Sequence, residues 1–112
     1  MYDCRLIGTW RFDRRKTARE IAPRRDILTS KKSKLLRIFG KLELRYTRTS
    51  CHAKLGDFAF VRRYMVVAKD ASSVAIVSLN GASGPQIFHL YFEGNHYWIC
   101  AGRIREYFKR RE

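Results

Sequence analysis

The sequence predicts a mainly β fold, an eight-stranded antiparallel barrel with a short helical insert between strands 1 and 2. Three observations carry this. Most of the chain after residue 40 alternates apolar and polar residues with a period of two, which sends successive side chains to opposite faces of a strand. The alternating segments are short and are separated by turn residues: Asp70-Ala71-Ser72-Ser73, Asn80-Gly81 with Ser83-Gly84-Pro85, and Gly94-Asn95. Residues 13–34 break the period and are polar and basic. Eight strands at this spacing suit a sandwich or an up-and-down barrel, and closure removes the exposed edges that invite aggregation.

The first strand is Leu6 to Phe12, with Leu6, Gly8, Trp10 and Phe12 on one face. Gly8 leaves room for close backbone approach beside the bulky Trp10. Thr17 to Ala22 forms a short helix that stops before Pro23, because the residue preceding a proline disfavours the helical region. A second helix takes Ser30 as its N-cap, presents Leu35, Leu36 and Phe39 on one face and ends at Gly40. Its other face carries Lys31, Lys32, Lys34 and Arg37, and bases in the first turn oppose the helix dipole. The next strand sets Leu42, Leu44 and Tyr46 against Lys41, Glu43, Arg45 and Thr47. Cys51 to Leu55 follows, then Phe58 to Ala68, where Phe58, Phe60, Tyr64 and Val66 oppose Val61, Met65 and Val67 and a bulge is expected at Arg62-Arg63. Val74 to Leu79, Gln86 to Phe92, His96 to Ala101 and Ile104 to Lys109 complete the series.

A single domain over residues 1–112 fits the length, since a chain of this size buries roughly two-thirds of its unfolded surface without staples. No apolar run reaches the roughly 20 residues that span a bilayer. The opening Met1-Tyr2-Asp3-Cys4-Arg5 lacks a basic region followed by a long apolar stretch, so a cytoplasmic protein is expected. Cys4, Cys51 and Cys100 are odd in number and widely spaced, which fits reduced thiols acting as small apolar side chains. The formal net charge is +14, with +9 in residues 1–41, +2 in residues 42–102 and +3 in residues 103–112. That exceeds what solubility needs and attracts polyanions.

Leu6-Ile7-Gly8-Thr9-Trp10 resembles the Gly-x-Trp first strand of the lipocalin-like, or calycin, barrels. The resemblance implies that the tryptophan closes one end of the barrel and that an arginine of the last strand packs across it. Arg105, within Arg103-Ile104-Arg105-Glu106-Tyr107-Phe108, is the matching residue. A guanidinium stacks well on an indole face, and its fork donates to strand-end carbonyls. The layout is also similar to the intracellular fatty-acid-binding branch. There a helix pair between the first two strands lids the barrel, and an Arg-x-Tyr pair on the last strand holds a ligand carboxylate. Arg105 and Tyr107 match that pair and share one face of the strand. Members of that branch are longer and have ten strands against eight here. Pointing Arg105 and Tyr107 inward turns Ile104 and Phe108 outward, under a helix or a second subunit.

The expected ligand-binding residues are Trp10, Tyr46, Tyr64, His89, Trp98, Arg105 and Tyr107, around an interior wide enough for one small ligand. Each has a plainer reading. Trp10 and Arg105 suit a structural plug, Tyr107 a barrel rim, the strand aromatics a filled core, and His89 a histidine bonded to a neighbour rather than a haem ligand. No metal or cofactor is expected, because no histidine pair has helical metal spacing and there is no Cys-x-x-Cys. Nucleophile elbow, phosphate loop and paired carboxylates are also absent from the sequence, so catalysis is not expected. Arg14, Arg15, Lys16, Lys31, Lys32 and Lys34 supply the rival: nucleic acid, an acidic protein or acidic lipid held at the basic surface. The leading expectation is a monomer or homodimer that binds a small, partly apolar ligand, with Arg105 and Tyr107 engaging an anionic group.

Overall fold

The computed structural model describes residues 2–25, 28–79, 84–101 and 104–111. It is a closed antiparallel barrel in which each strand pairs with the next and the last pairs with the first. The elements run β1 (Gly8–Phe12), α1 (Arg14–Ile21), α2 (Thr29–Phe39), β2 (Leu42–Tyr46), β3 (Ser50–Leu55), β4 (Phe58–Lys69), β5 (Ser73–Ser78), β6 (Gln86–Glu93), β7 (His96–Ala101) and β8 (Ile104–Arg111). Both helices thus fall between the first two strands, as the loss of alternation after Phe12 predicts. The expected Asn80-Gly81 turn lies outside the described residues.

The inward faces follow the period-two pattern. Trp10, Phe12, Tyr46, Tyr64, Val66, Val74, Ile76, Leu90, Tyr97 and Phe108 form one buried cluster with Leu6. On the outer face of β4, Val61, Met65 and Val67 are exposed. The bulge in β4 lies between Val66 and Ala68, not at Arg62-Arg63. Arg62 and Arg63 stay in an unbroken ladder, opposite Cys51 and Ser50. Arg62 is exposed although its alternation points it inward, because it lies where its guanidinium can reach water.

The end of the barrel carrying the β2–β3, β4–β5 and β6–β7 turns is plugged by the chain's own start. Leu6 is fully buried there. The Trp10 indole N–H donates to the Leu6 carbonyl at 2.9 Å, and its ring meets Tyr97 edge-on at 4.8 Å. Arg5 bonds Asp3 at 2.6 Å, donates to the Ala71 carbonyl at 2.9 Å and lies over Phe92. The arginine that packs across Trp10 is Arg110, not Arg105. Its guanidinium sits 4.3 Å from the indole centroid and donates to the carbonyls of Ile7, at 2.9 Å, and Arg5. The last strand expected from the sequence ends at Lys109, whereas β8 runs to Arg111 and so includes Arg110. Gly8 makes the contact possible. Its φ is +129°, and a Cβ there would stand 2.8 Å from Arg110 Nη1.

The opposite end carries the helices. Helix α1 starts three residues before the expected Thr17, because Asp13 caps it by accepting from the Lys16 N–H at 2.9 Å. It also continues β8 sideways beyond β1. Asp13 N–H donates to the Tyr107 carbonyl at 2.8 Å, and Tyr107 N–H donates to Thr17 Oγ1 at 3.0 Å, so this stretch of strand edge is satisfied without a strand. Helix α2 begins at Thr29 with Leu28 in the N-cap position and no side-chain cap, so Ser30 lies inside the first turn instead of capping it. Gly40 is the C-cap as expected, but in the right-handed helical conformation. Leu36 and Phe39 pack from α2 onto the barrel core.

Asp13 also contacts His96 Nε2 at 2.8 Å, tying α1 to β7. Burial raises the Asp13 carboxyl, but the Lys16 N–H bond and His96 outweigh it and hold the group below its ordinary value. The stabilisation is therefore complete above the unfolded carboxylate's titration and is lost as pH falls through the lower folded value. Asp13→Ala is expected to cost about 1 kcal/mol or somewhat more near neutral pH. Urea melts taken down to about pH 2 should show the variant losing less stability on acidification than the parent. Parallel acid limbs would remove Asp13 from this role.

Candidate ligand cavity

Between the plugged end and α2 the barrel holds a cavity of about 400 Å³. Its walls are mostly apolar, from Leu42, Leu44, Ala53, Phe60, Phe88 and Ile99, and Phe39 of α2 closes part of its mouth. Three tyrosines make the floor. Tyr46 and Tyr97 share a hydrogen bond between their hydroxyls at 3.1 Å, Tyr64 meets Tyr46 edge-on at 5.7 Å, and the Tyr64 hydroxyl donates to the Thr47 carbonyl. Burial pushes the Tyr97 and Tyr46 hydroxyls well up and Tyr64 up to about 12, so all three stay neutral hydrogen-bonding groups. The Cys51 thiol, bonded to Tyr46, is raised by burial to about 11 and is no nucleophile at neutral pH. Two further polar groups look into this space. Ser78 Oγ is buried with no hydrogen-bond partner, and the Glu106 carboxyl is raised above its ordinary value by burial.

No family model, curated protein or solved structure matches the chain. Among the described residues no three His, Cys, Asp or Glu side chains converge as a metal site, and no helix is long and apolar enough to cross a membrane.

Of the seven residues expected to hold a ligand, Tyr46 and Tyr64 line the cavity. Trp10 belongs to the plug below it. The other four lie outside the barrel. Tyr107 is buried beneath α1, with Lys16 Nζ 5.0 Å from its ring centroid. Arg105 is exposed, 4.2 Å above the Trp98 ring and 3.9 Å from Glu20 of α1. Trp98 stacks on Tyr91 at 4.1 Å, and Tyr91 on His89 at 4.3 Å. His89 Nε2 ends the row on Ser73 Oγ at 2.9 Å. These groups form a cross-strand ladder on the outer face of β5 to β8, which stabilises the sheet by stacking.

The phase of β8 explains the correction. Phe108 is buried and faces Phe12, so residues 106, 108 and 110 point inward and 105 and 107 outward. Phe108 is therefore not turned outward under a helix or a second subunit. Tyr97, one of the strand aromatics, lines the cavity with Tyr46 and Tyr64, whereas the sequence reading does not single out Glu106 and Ser78. The apolar residues Ile104 and Phe108 were the available signal for Glu106, since an apolar face turned inward carries the residue between them inward too.

The basic candidates divide. Arg14 and Arg15 share an open groove with Arg11, Lys109 and Arg111, two of which are paired: Glu43 of β2 lies 3.5 Å from Arg11 and 2.7 Å from Arg111. Lys16 instead approaches Glu93 at 3.9 Å. On α2, Lys31 and Lys34 are exposed, and Lys32 donates to the Ala22 carbonyl at 3.1 Å.

Proposed function

We propose that the protein is a non-catalytic, lipocalin-like binder that holds one small, mainly apolar ligand inside the barrel. The cavity carries this reading. Its volume of about 400 Å³ is that of a small-molecule site, its walls are aromatic and aliphatic, and its few polar groups converge from known positions. An apolar ligand burying about 300 Å² there would gain roughly 7 kcal/mol before ordering costs. The closed eight-stranded barrel, the Trp10–Arg110 plug and a helical insert between the first two strands support the lipocalin-like assignment.

A second reading has its own observation. The groove gathers Arg11, Arg14, Arg15, Lys109, Arg110 and Arg111 beside a single acid, Asp13, and suits a polyanion such as nucleic acid. One experiment separates the two. Native mass spectrometry of protein purified from cells, before and after a high-salt wash, should show a small mass that survives salt and is lost on unfolding. A bare chain that also fails to enhance an apolar fluorescent dye would overturn the barrel reading. Nucleic acid released by salt alone would put the groove first.

A further inference from the structure

We propose that the polar end of the ligand is a hydrogen-bond donor, foremost a protonated amine, received by the Glu106 carboxylate. The inference rests on the barrel-binding reading and specifies its ligand class.

Glu106 stands in β8 opposite Ile99 of β7, and both line the cavity. A carboxylate in an apolar wall is costly unless something compensates it. Among the described residues no hydrogen bond or ion pair to this carboxyl is formed. The bases beside it in the strand face away or are engaged elsewhere. Arg105 is outside over Trp98, Lys109 is exposed on that same outer face, and Arg110 is committed to Trp10 and the plug carbonyls. Arg62, a base that does line the cavity, has its guanidinium 5.1 Å from the Phe60 ring centroid. The tyrosine hydroxyls on the floor bond one another, Cys51 and Thr47. Ser78 Oγ, buried without a partner, adds a second unused hydrogen-bonding group. A bound donor would supply what Glu106 lacks. A ligand carboxylate would instead meet a like charge in a poorly solvated space, which is the way a site rejects the wrong partner. This selectivity opposes the protein's overall field, because a net charge of +14 draws anions. An amine preference would therefore have a local cause.

The test is displacement of a neutral apolar fluorescent probe by decylamine, decan-1-ol and decanoate, each below its micelle concentration, on the full chain and on Glu106→Gln. Decylamine is expected to displace at least about tenfold better than decanoate. Glu106→Gln should lower the amine's potency by a similar factor and leave the alcohol unchanged. Equal potencies, a decanoate preference, or an amine preference that survives Glu106→Gln would each overturn the assignment while leaving a cavity that binds chains. Failure of the probe and of all three chains would instead overturn the cavity reading. Should the variant not fold, the ranking on the parent protein decides.

Discussion

Trp10→Ala is expected to cost about 3–5 kcal/mol, the largest loss of any single substitution in this barrel. The ring is 1% exposed, touches Tyr97 and Phe92, supports Arg110 and satisfies the Leu6 carbonyl. Against a total stability of about 5–15 kcal/mol for a domain, its removal leaves the fold near its limit. Arg110→Ala should follow at about 2–4 kcal/mol, since it removes a cation–π contact and strips two carbonyls of their donor. Arg110→Lys should recover little of this, because an ammonium cannot reproduce the fork that reaches Ile7 and Arg5 together. Arg105→Ala, which the Gly-x-Trp resemblance singled out, should leave the melt almost unchanged. Urea unfolding of the four variants side by side checks the order, and equal losses at positions 105 and 110 would remove Arg110 from the plug.

Ala53→Phe is expected to abolish ligand uptake while the barrel still folds. Ala53 is buried in the middle of β3, and its methyl group looks into the cavity. A phenyl ring there enters existing empty space instead of a packed core, so the usual strain of an enlarged side chain is small. Probe affinity should fall by more than about thirtyfold, with a melting curve close to the parent's. Binding that persists at full strength would place the ligand elsewhere, and the Arg11–Arg111 groove would be the first surface to examine.

The strands whose two faces differ in chemistry were legible in the sequence. Leu42, Leu44 and Tyr46 against Glu43 and Arg45 admit one orientation, and so does the inner row of β4. In β7 both Tyr97 and Trp98 are aromatic, so periodicity cannot choose between them. The ladder of Tyr91, Trp98 and Arg105 outside is what gives the larger ring a place there. In β8 the two charged residues Arg105 and Glu106 fall on opposite faces, and the Arg-x-Tyr match outweighed the apolar signal of Ile104 and Phe108. An inward glutamate is against the local rule, which is where a binding function is expected to override patterning. The helix starts were missed for a related reason. Asp13 caps α1 because His96 and Lys16 hold it in place, and one of those partners lies 83 residues away.

The seam that closes the barrel joins the two ends of the chain: Thr9 pairs with Arg111 and Phe12 with Phe108. Most of the other ladders link consecutive strands through a short turn. The hairpins of β2 to β8 thus need only local loop closure, whereas the seam spans about a hundred residues and bears the greatest entropic cost. The topology predicts a folding order, a curled sheet first and its closure last. Trp98 sits within the sheet and Trp10 within the seam, so the two indoles are expected to report opposite stages of the same reaction.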